Sequence, residues 1–356
     1  MAGLPRINIK FQTLAATLIA RSQKGIVALI LLDDTLITGD QFVYNIIDEV
    51  TDAWTADNLK SISLCFDGTP RKVYVQRIGA TAPTLNTALS ALGNRKWNYL
   101  AVPSATTEQQ STIASWLKSK RNVDNKTYKY VVGGLTSDDM GIINFDSDNV
   151  LVGTKTYSKT EFTPRIAGQI AGLPIDRSLT YQTFSDVTGF DELLDDDARS
   201  AAIDAGKLIF INDGEKIKIA RGINSLTTTT ATQGAVFKKI RIVEIVDMIR
   251  DDLTDTIRDN YIGKWLNTYQ NKLLLIGAIN AYLSELQVES TLDPNYKNLC
   301  KIDVTQQTIY LKGLGVATDD MTTAEIEQYN TNDQVFLQLN IKPVDSMEDF
   351  SIAVYL

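Results

Sequence analysis

Apolar and polar positions alternate most cleanly near the two extremities of this chain. Val335, Leu337, Leu339 and Ile341 recur at every second position, so they share one face of a strand. Pro343 stops that strand. A polar stretch at 345–349 follows, and then Phe350, Ile352, Val354 and Leu356 take up the alternation again. Near the start, Ile7, Ile9 and Phe11 alternate with Asn8, Lys10 and Gln12. An alternating segment of this kind leaves backbone donors, acceptors and an apolar face to be covered. It either folds back onto its own sheet or adds to the sheet of a neighbour. If both extremities cross to neighbours, the contacts are heterologous, and such contacts build rings or open helical tubes.

Between the extremities the periodicity switches back and forth between strand and helix. Residues 25–32 are a continuous apolar run, expected as a strand buried on both faces. Residues 40–54 have helical spacing through Phe42, Ile46, Ile47 and Val50. Residues 59–66 and 72–78 are expected as two strands, joined into a hairpin by Asp67-Gly68-Thr69-Pro70. A helix from Thr84 to Gly93, a strand at 97–102, an amphipathic helix at 107–120 and a strand at 128–132 then alternate, with short strands at 142–145 and 150–152. This order predicts a doubly wound α/β unit. The helix at 162–173 has Pro164 in its first turn. Its stripe of Ala167, Gly168, Ala171 and Gly172 predicts close approach of another backbone. A short helix at 198–205 precedes a hairpin of 208–211 and 217–223 that turns through Asp213-Gly214. The Thr-rich stretch 227–233 reads as a joint.

Beyond the joint, Ile240, Val243, Val246, Ile249, Leu253 and Ile257 step by three or four, although 236–245 also fits a strand. Ile262, Leu266, Tyr269, Leu273, Ile276 and Leu283 continue the rule in a second helix. Short strands are expected at 300–304 and 309–311. The expected class is therefore mixed α/β: a central mixed sheet flanked by helices, with extended strand arms. The expected divisions are an N-terminal arm (1–20), an α/β core (21–228), an α+β domain (229–345) and a C-terminal arm (346–356).

Charge and composition narrow the function. A formal net charge of −8 argues against a primary nucleic-acid binder. The chain has no histidine, which removes His-based triads, general bases and metal sites. Cys65 and Cys300 have no CxxC spacing and read as buried small residues. The opening residues do not read as a signal peptide. No apolar run approaches the ~18 residues a membrane span needs, so synthesis and folding in a cytoplasm are expected, without membrane insertion.

Candidate chemistry is sparse. Gly133-Gly134 follows a strand but fits neither GxGxxG nor GxxxxGK[ST]. Asp146-Ser147-Asp148-Asn149 starts like a calcium loop and lacks its Gly and terminal Glu. The acidic pairs at 33–34, 138–139, 195–197, 251–252 and 319–320 sit beside turns or helix starts, where carboxylates cap and solvate. Lys238, Lys239 and Arg241 form the one tight basic cluster, suited to an acidic partner surface or to water. No nucleophile, base and oxyanion donors share a recognisable spacing, and no metal or cofactor is expected.

Several segments together carry a resemblance: Ala167-Gly-Gln-Ile-Ala-Gly172, Ser178-Leu-Thr-Tyr181, 219–225, 240–249 and Tyr261-Ile-Gly-Lys264 with Asn267. Their set and order resemble the tail sheath proteins of contractile phage tails, most closely the short sheath proteins of Gram-positive phages and phage-tail-like bacteriocins. The likeness runs from about Phe162 to the C-terminus. It implies a structural, non-enzymatic subunit assembled in a bacterial cytoplasm as six-fold rings stacked helically around an inner tube. Contraction would drive the tube through a target envelope. The implied partners are other copies of the chain, the inner tail tube protein, and baseplate and tail-terminator proteins. The implied stitching residues are Ile7, Ile9 and Phe11 in one arm and Phe350, Ile352 and Val354 in the other, with Val335, Leu337, Leu339 and Ile341 as the receiving strand. The alternatives are a nucleotide-binding enzyme using the Gly133-Gly134 turn, and a non-contractile scaffold.

Overall fold

The computed structural model describes residues 19, 25–35, 39–79 and 82–355. The first half alternates strands and helices in chain order. These are β1 (Ile26–Leu32), β2 (Gln41–Tyr44), α1 (Ala56–Phe66), β3 (Lys72–Ile78), α2 (Leu85–Gly93), β4 (Tyr99–Ala101), α3 (Thr107–Asn122), β5 (Lys129–Gly133) and β6 (Ile142–Phe145). Then come β7 (Val150–Val152), β8 (Lys155–Tyr157), α4 (Thr163–Gly172), β9 (Val187–Gly189), α5 (Asp196–Asp204), β10 (Lys207–Leu208), β11 (Phe210–Asn212) and β12 (Ile217–Ile219). The last third holds α6 (Ile240–Asn260), α7 (Tyr269–Val288), β13 (Leu299–Ile302), α8 (Val304–Gly313), α9 (Thr323–Gln328) and β14 (Leu337–Asn340).

Among the described residues a seven-stranded mixed sheet runs in the order β10-β6-β5-β4-β1-β3-β2, parallel except where β2 joins β3. The apolar run of β1 is central because both its faces are covered. Val27, Leu29 and Leu31 pack with Ile62 and Cys65 of α1 and Ile166 and Ile170 of α4. Ala28 and Ile30 pack with Leu89 and Leu92 of α2 and Ile113 and Leu117 of α3. The two small sheets β7–β9 and β11–β12 complete this part, and β11–β12 is the expected hairpin, with Gly214 at φ +92°.

The predicted close approach at α4 is real. A Cβ on Gly168 would stand 2.0 Å from the Cys65 carbonyl oxygen, and one on Gly172 2.1 Å from the Gly68 carbonyl oxygen. Both neighbours are backbone and cannot swing aside. Gly168→Ala should therefore lower stability by about 3 kcal/mol in urea unfolding. Gly277, inside α7, meets nothing within 4 Å, so Gly277→Ala should raise it by about 1 kcal/mol.

Three elements differ from the sequence expectation. Residues 59–66 belong to helix α1, not a strand. Thr55 caps it by accepting from the Asn58 N–H, and Asn58, Ile62 and Cys65 form its buried face. The turn after α1 therefore leads into a parallel crossover, β1–α1–β3, and not a hairpin. Residues 40–54 are the edge strand β2 and a single 3-10 turn, because β3 needs a partner on its outer side. Residues 309–311 lie within α8, which Asp303 caps.

The long helices also shift. α7 starts at Tyr269, capped by Thr268, so Ile262 and Leu266 fall in the preceding connection and stay exposed. Its inward face is Leu275, Ile279, Tyr282, Leu283 and Leu286, one step away from the predicted Leu273 and Ile276.

Packing divides the chain into two compact units. One takes in Gln23–Arg250 with Asp345–Leu356, and the other includes Asp251–Val344. The division falls inside α6. A buried charge network explains why the first turns of α6 belong with the large sheet. Arg121 grips Asp247 with both terminal nitrogens, at 3.0 and 3.1 Å. Lys129 Nζ lies 2.8 Å from Glu244 and 3.0 Å from Asp247. The Tyr99 hydroxyl donates to Glu244. Burial alone would raise the Asp247 carboxyl, but Lys129 and Arg121 hold it below the usual carboxylate range.

Candidate assembly site: the tail and its root

Within the large unit, segments far apart in sequence build a polar socket. The chain after Pro174 brings Ser178 and Thr180 beside the turn that follows β12. Thr180 Oγ1 accepts from the Gly222 N–H at 2.9 Å, and the Thr180 N–H donates to Ser178 Oγ at 3.2 Å. The Gly222 carbonyl in turn accepts from the Ile240 N–H at 3.0 Å, which ties the socket to the start of α6. The resembling segments 178–181, 219–225 and 240–249 thus converge in space.

The occupant of this socket is the chain's own segment 345–349. Glu348 accepts from Thr180 Oγ1 at 2.7 Å and from Ser346 Oγ at 3.0 Å, and its second oxygen lies 3.2 Å from Lys239 Nζ. Lys239 also pairs with Asp345 at 2.6 Å, and Arg221 with Asp349 at 2.5 Å. The Glu348 side chain is only 5% exposed. Burial raises its carboxyl, but the bonds from Thr180 and Ser346 and the Lys239 charge outweigh that and hold it below the usual value.

A pH dependence follows from that depressed carboxyl. Its contribution is complete above the ordinary Glu value of about 4.3 and is lost as the pH falls below it, through the lower native value. A nitroxide on Met347→Cys, an exposed position, should report an immobilised root at pH 7. It should turn mobile only below about pH 4. Cys65 and Cys300 are buried and should not take the label.

Beyond the root the character changes abruptly. Phe350, Ile352, Val354 and Tyr355 are 73, 81, 77 and 93% exposed, and 350–355 enter no helix or strand. Three alternating apolar side chains therefore project from a fixed polar base. In the other unit β14 pairs antiparallel with β13, Cys300 opposite Leu339 and Ile302 opposite Leu337. Among the described residues its second edge has no partner strand. The strand is shorter than expected: Val335 and Ile341 flank it, and Val335 is exposed. Ile7, Ile9 and Phe11 lie outside the described residues.

The basic cluster divides. Lys239 faces the acidic root, Arg241 is buried within the field of Asp345, Asp176 and Glu348, and Lys238 is half-buried. Sequence reasoning isolated Lys239 but not its partner Glu348. The available signal was an acidic segment of matching charge just ahead of the alternating tail.

The remaining chemical candidates are occupied by their own fold. A Cβ on Gly133 would stand 2.6 Å from Thr160 backbone atoms, so the Gly-Gly turn is filled by packing. Asp146 is neutralised by Lys159 and Lys207 at 2.6 and 2.8 Å. Asp33 accepts from Thr35, Thr55 and Asn58; burial raises its carboxyl, yet these bonds bring it to about 2. Asp138 accepts from Thr227 and Thr228. A crevice of about 270 Å³ opens at the C-terminal ends of β1, β3 and β4, where Thr84, Ser104 and Gln109 supply polar groups. Gln109 is already engaged in the capping box of α3. Among the described residues no group of three His, Cys, Asp or Glu side chains is placed to hold a metal, and no helix is long and apolar enough to cross a membrane.

Comparison with known proteins bears on the family and the fold. The family model for the phage tail sheath protein central domain matches residues 79–225, and that for the phage tail sheath C-terminal domain matches 232–356. The chain is 35% identical to the tail sheath protein of Clostridium phage phiCD119 over 364 aligned positions, covering 100% of both chains. Its fold is similar to the anti-feeding prophage helical sheath in the contracted state. The TM-score is 0.72 at 12% identity, over 100% of this chain and 99% of that one. It is also similar to a sheath tail protein from Desulfitobacterium hafniense, with a TM-score of 0.68 at 17% identity, over 84% and 93%.

Proposed function

This chain belongs to the phage tail sheath family, and from that premise we propose that its tail is a stitching strand between subunits. Phe350, Ile352 and Val354 of one copy add to the outer edge of β14 in a neighbour, where Val335, Leu337, Leu339 and Ile341 form the receiving strand. Ile7, Ile9 and Phe11 serve as a second thread. The observation that carries this reading is the exposed alternation of 350–355, held out by a buried root at Glu348. Backbone ladders of this kind persist while side-chain contacts exchange, so bodies can rotate against one another without separating.

Six-fold rings then stack helically around an inner tube, bounded by baseplate and terminator proteins, and assembly takes place in the bacterial cytoplasm. The extended sheath is a kinetic trap, and contraction drives the tube through a target envelope. Nothing in this role calls for catalysis. Negative-stain microscopy of particles from the expressed gene cluster tests the reading. Two forms, long and narrow or short and wide, are expected. Rods of one length only would favour a non-contractile scaffold.

A further inference from the structure

We infer that Glu348 is a positioning residue that fixes the point at which the arm leaves its own subunit. The inference rests on reading the tail as an intersubunit strand. Glu348 and its main partner Thr180 are 168 residues apart, so the bond is not local turn chemistry. Thr180 cannot yield easily, because the Gly222 N–H and Ser178 Oγ hold it in place. On the far side of Glu348, Val344 is tied by its N–H to the Thr291 carbonyl at 3.0 Å. With the pin in place, the chain free to cross begins at Phe350 and runs seven residues through Leu356. An extended segment of that length reaches about 23 Å. Without the pin, only the exposed pairs of Asp345 with Lys239 and of Asp349 with Arg221 hold the root; such surface pairs are weak, and as they open the free segment becomes twelve residues, reaching about 40 Å. A short tether selects one receiving edge and one register. A long one samples several edges and dilutes the local concentration at each.

Two proteases separate the root from the arm in the unassembled full chain. Chymotrypsin should cut rapidly after Phe350 in the parent chain and in Thr180→Val alike. Glu-C should cut after Glu348 slowly in the parent and about tenfold or more faster in Thr180→Val, as loss of a hydrogen bond to a charged group predicts. If Thr180→Val fails to fold, Glu348→Ala, which removes the acceptor itself, serves with Asp-N, which cuts before Asp349, and the same acceleration is expected. In assembled particles the loosened variants should give sheaths of mixed register by electron microscopy. A parent chain cut after Glu348 as fast as after Phe350 overturns the inference, as do loosened variants with uniform register. If chains lacking 350–356 assemble normally, the strand reading itself falls, whatever the protease pattern.

Discussion

Chains cut back to Asp349 are expected to fold as well as the parent and to stop assembling. The described part of the removed segment, 350–355, lies outside the core of its own subunit, since Phe350, Ile352 and Val354 project into solvent. Thermal unfolding of the truncated subunit should therefore match the parent. Assembly is another matter. Burying three such side chains in a neighbour is worth about 2 kcal/mol each. Ordering the arm gives back part of this. Each 1.4 kcal/mol or so that survives is a factor of ten in association, so several decades per junction are expected to vanish. Sedimentation and negative-stain microscopy should find free subunits and bare tubes. Normal-length sheaths that still contract would remove the foundation of the assembly account.

The second large effect concerns Asp247. Asp247→Ala leaves Arg121 and Lys129 buried without their shared carboxylate, since both lie at 3.0–3.1 Å from it and are only 2–5% exposed. Breaking a buried pair by removing one partner costs about 3–5 kcal/mol. Much of the stability of a typical domain would be lost, so the variant should express poorly or unfold at much lower urea. Replacing the charges together, as in Arg121→Met and Lys129→Met with Asp247→Leu, should recover a substantial part of the loss. Losses below about 1 kcal/mol in Asp247→Ala would mean that α6 is held chiefly by its apolar face, through Ile240, Val243 and Ile245.

What could be read from the sequence follows physical lines. β1 was legible because a continuous apolar run of strand length fits burial on both faces. α4 was legible because small residues one turn apart have few uses other than backbone contact. α1 was misread because Ile62, Leu64 and Phe66 alternate at strand period. The helix is decided instead by Thr55 as cap and by the buried set Asn58, Ile62 and Cys65. β2 was misread because a four-residue edge strand has too little pattern, and its pairing with β3 is a tertiary decision. The exposed alternation of the tail was plain in the sequence. Its root was not, since Glu348 finds Thr180 and Lys239 only through the fold. Segment 178–181 stood out only as a mark of family likeness, and 219–225 as that and as part of a hairpin strand, yet in space they build the socket.

The most direct test is a density map of the assembled particle that traces the backbone through the tail. The account predicts that Phe350, Ile352 and Val354 of one subunit lie in a strand laddered to Leu337–Asn340 of another, with Glu348 still seated against Thr180 of its own chain. A tail that pairs within its own subunit, with no backbone ladder crossing between copies, would contradict it.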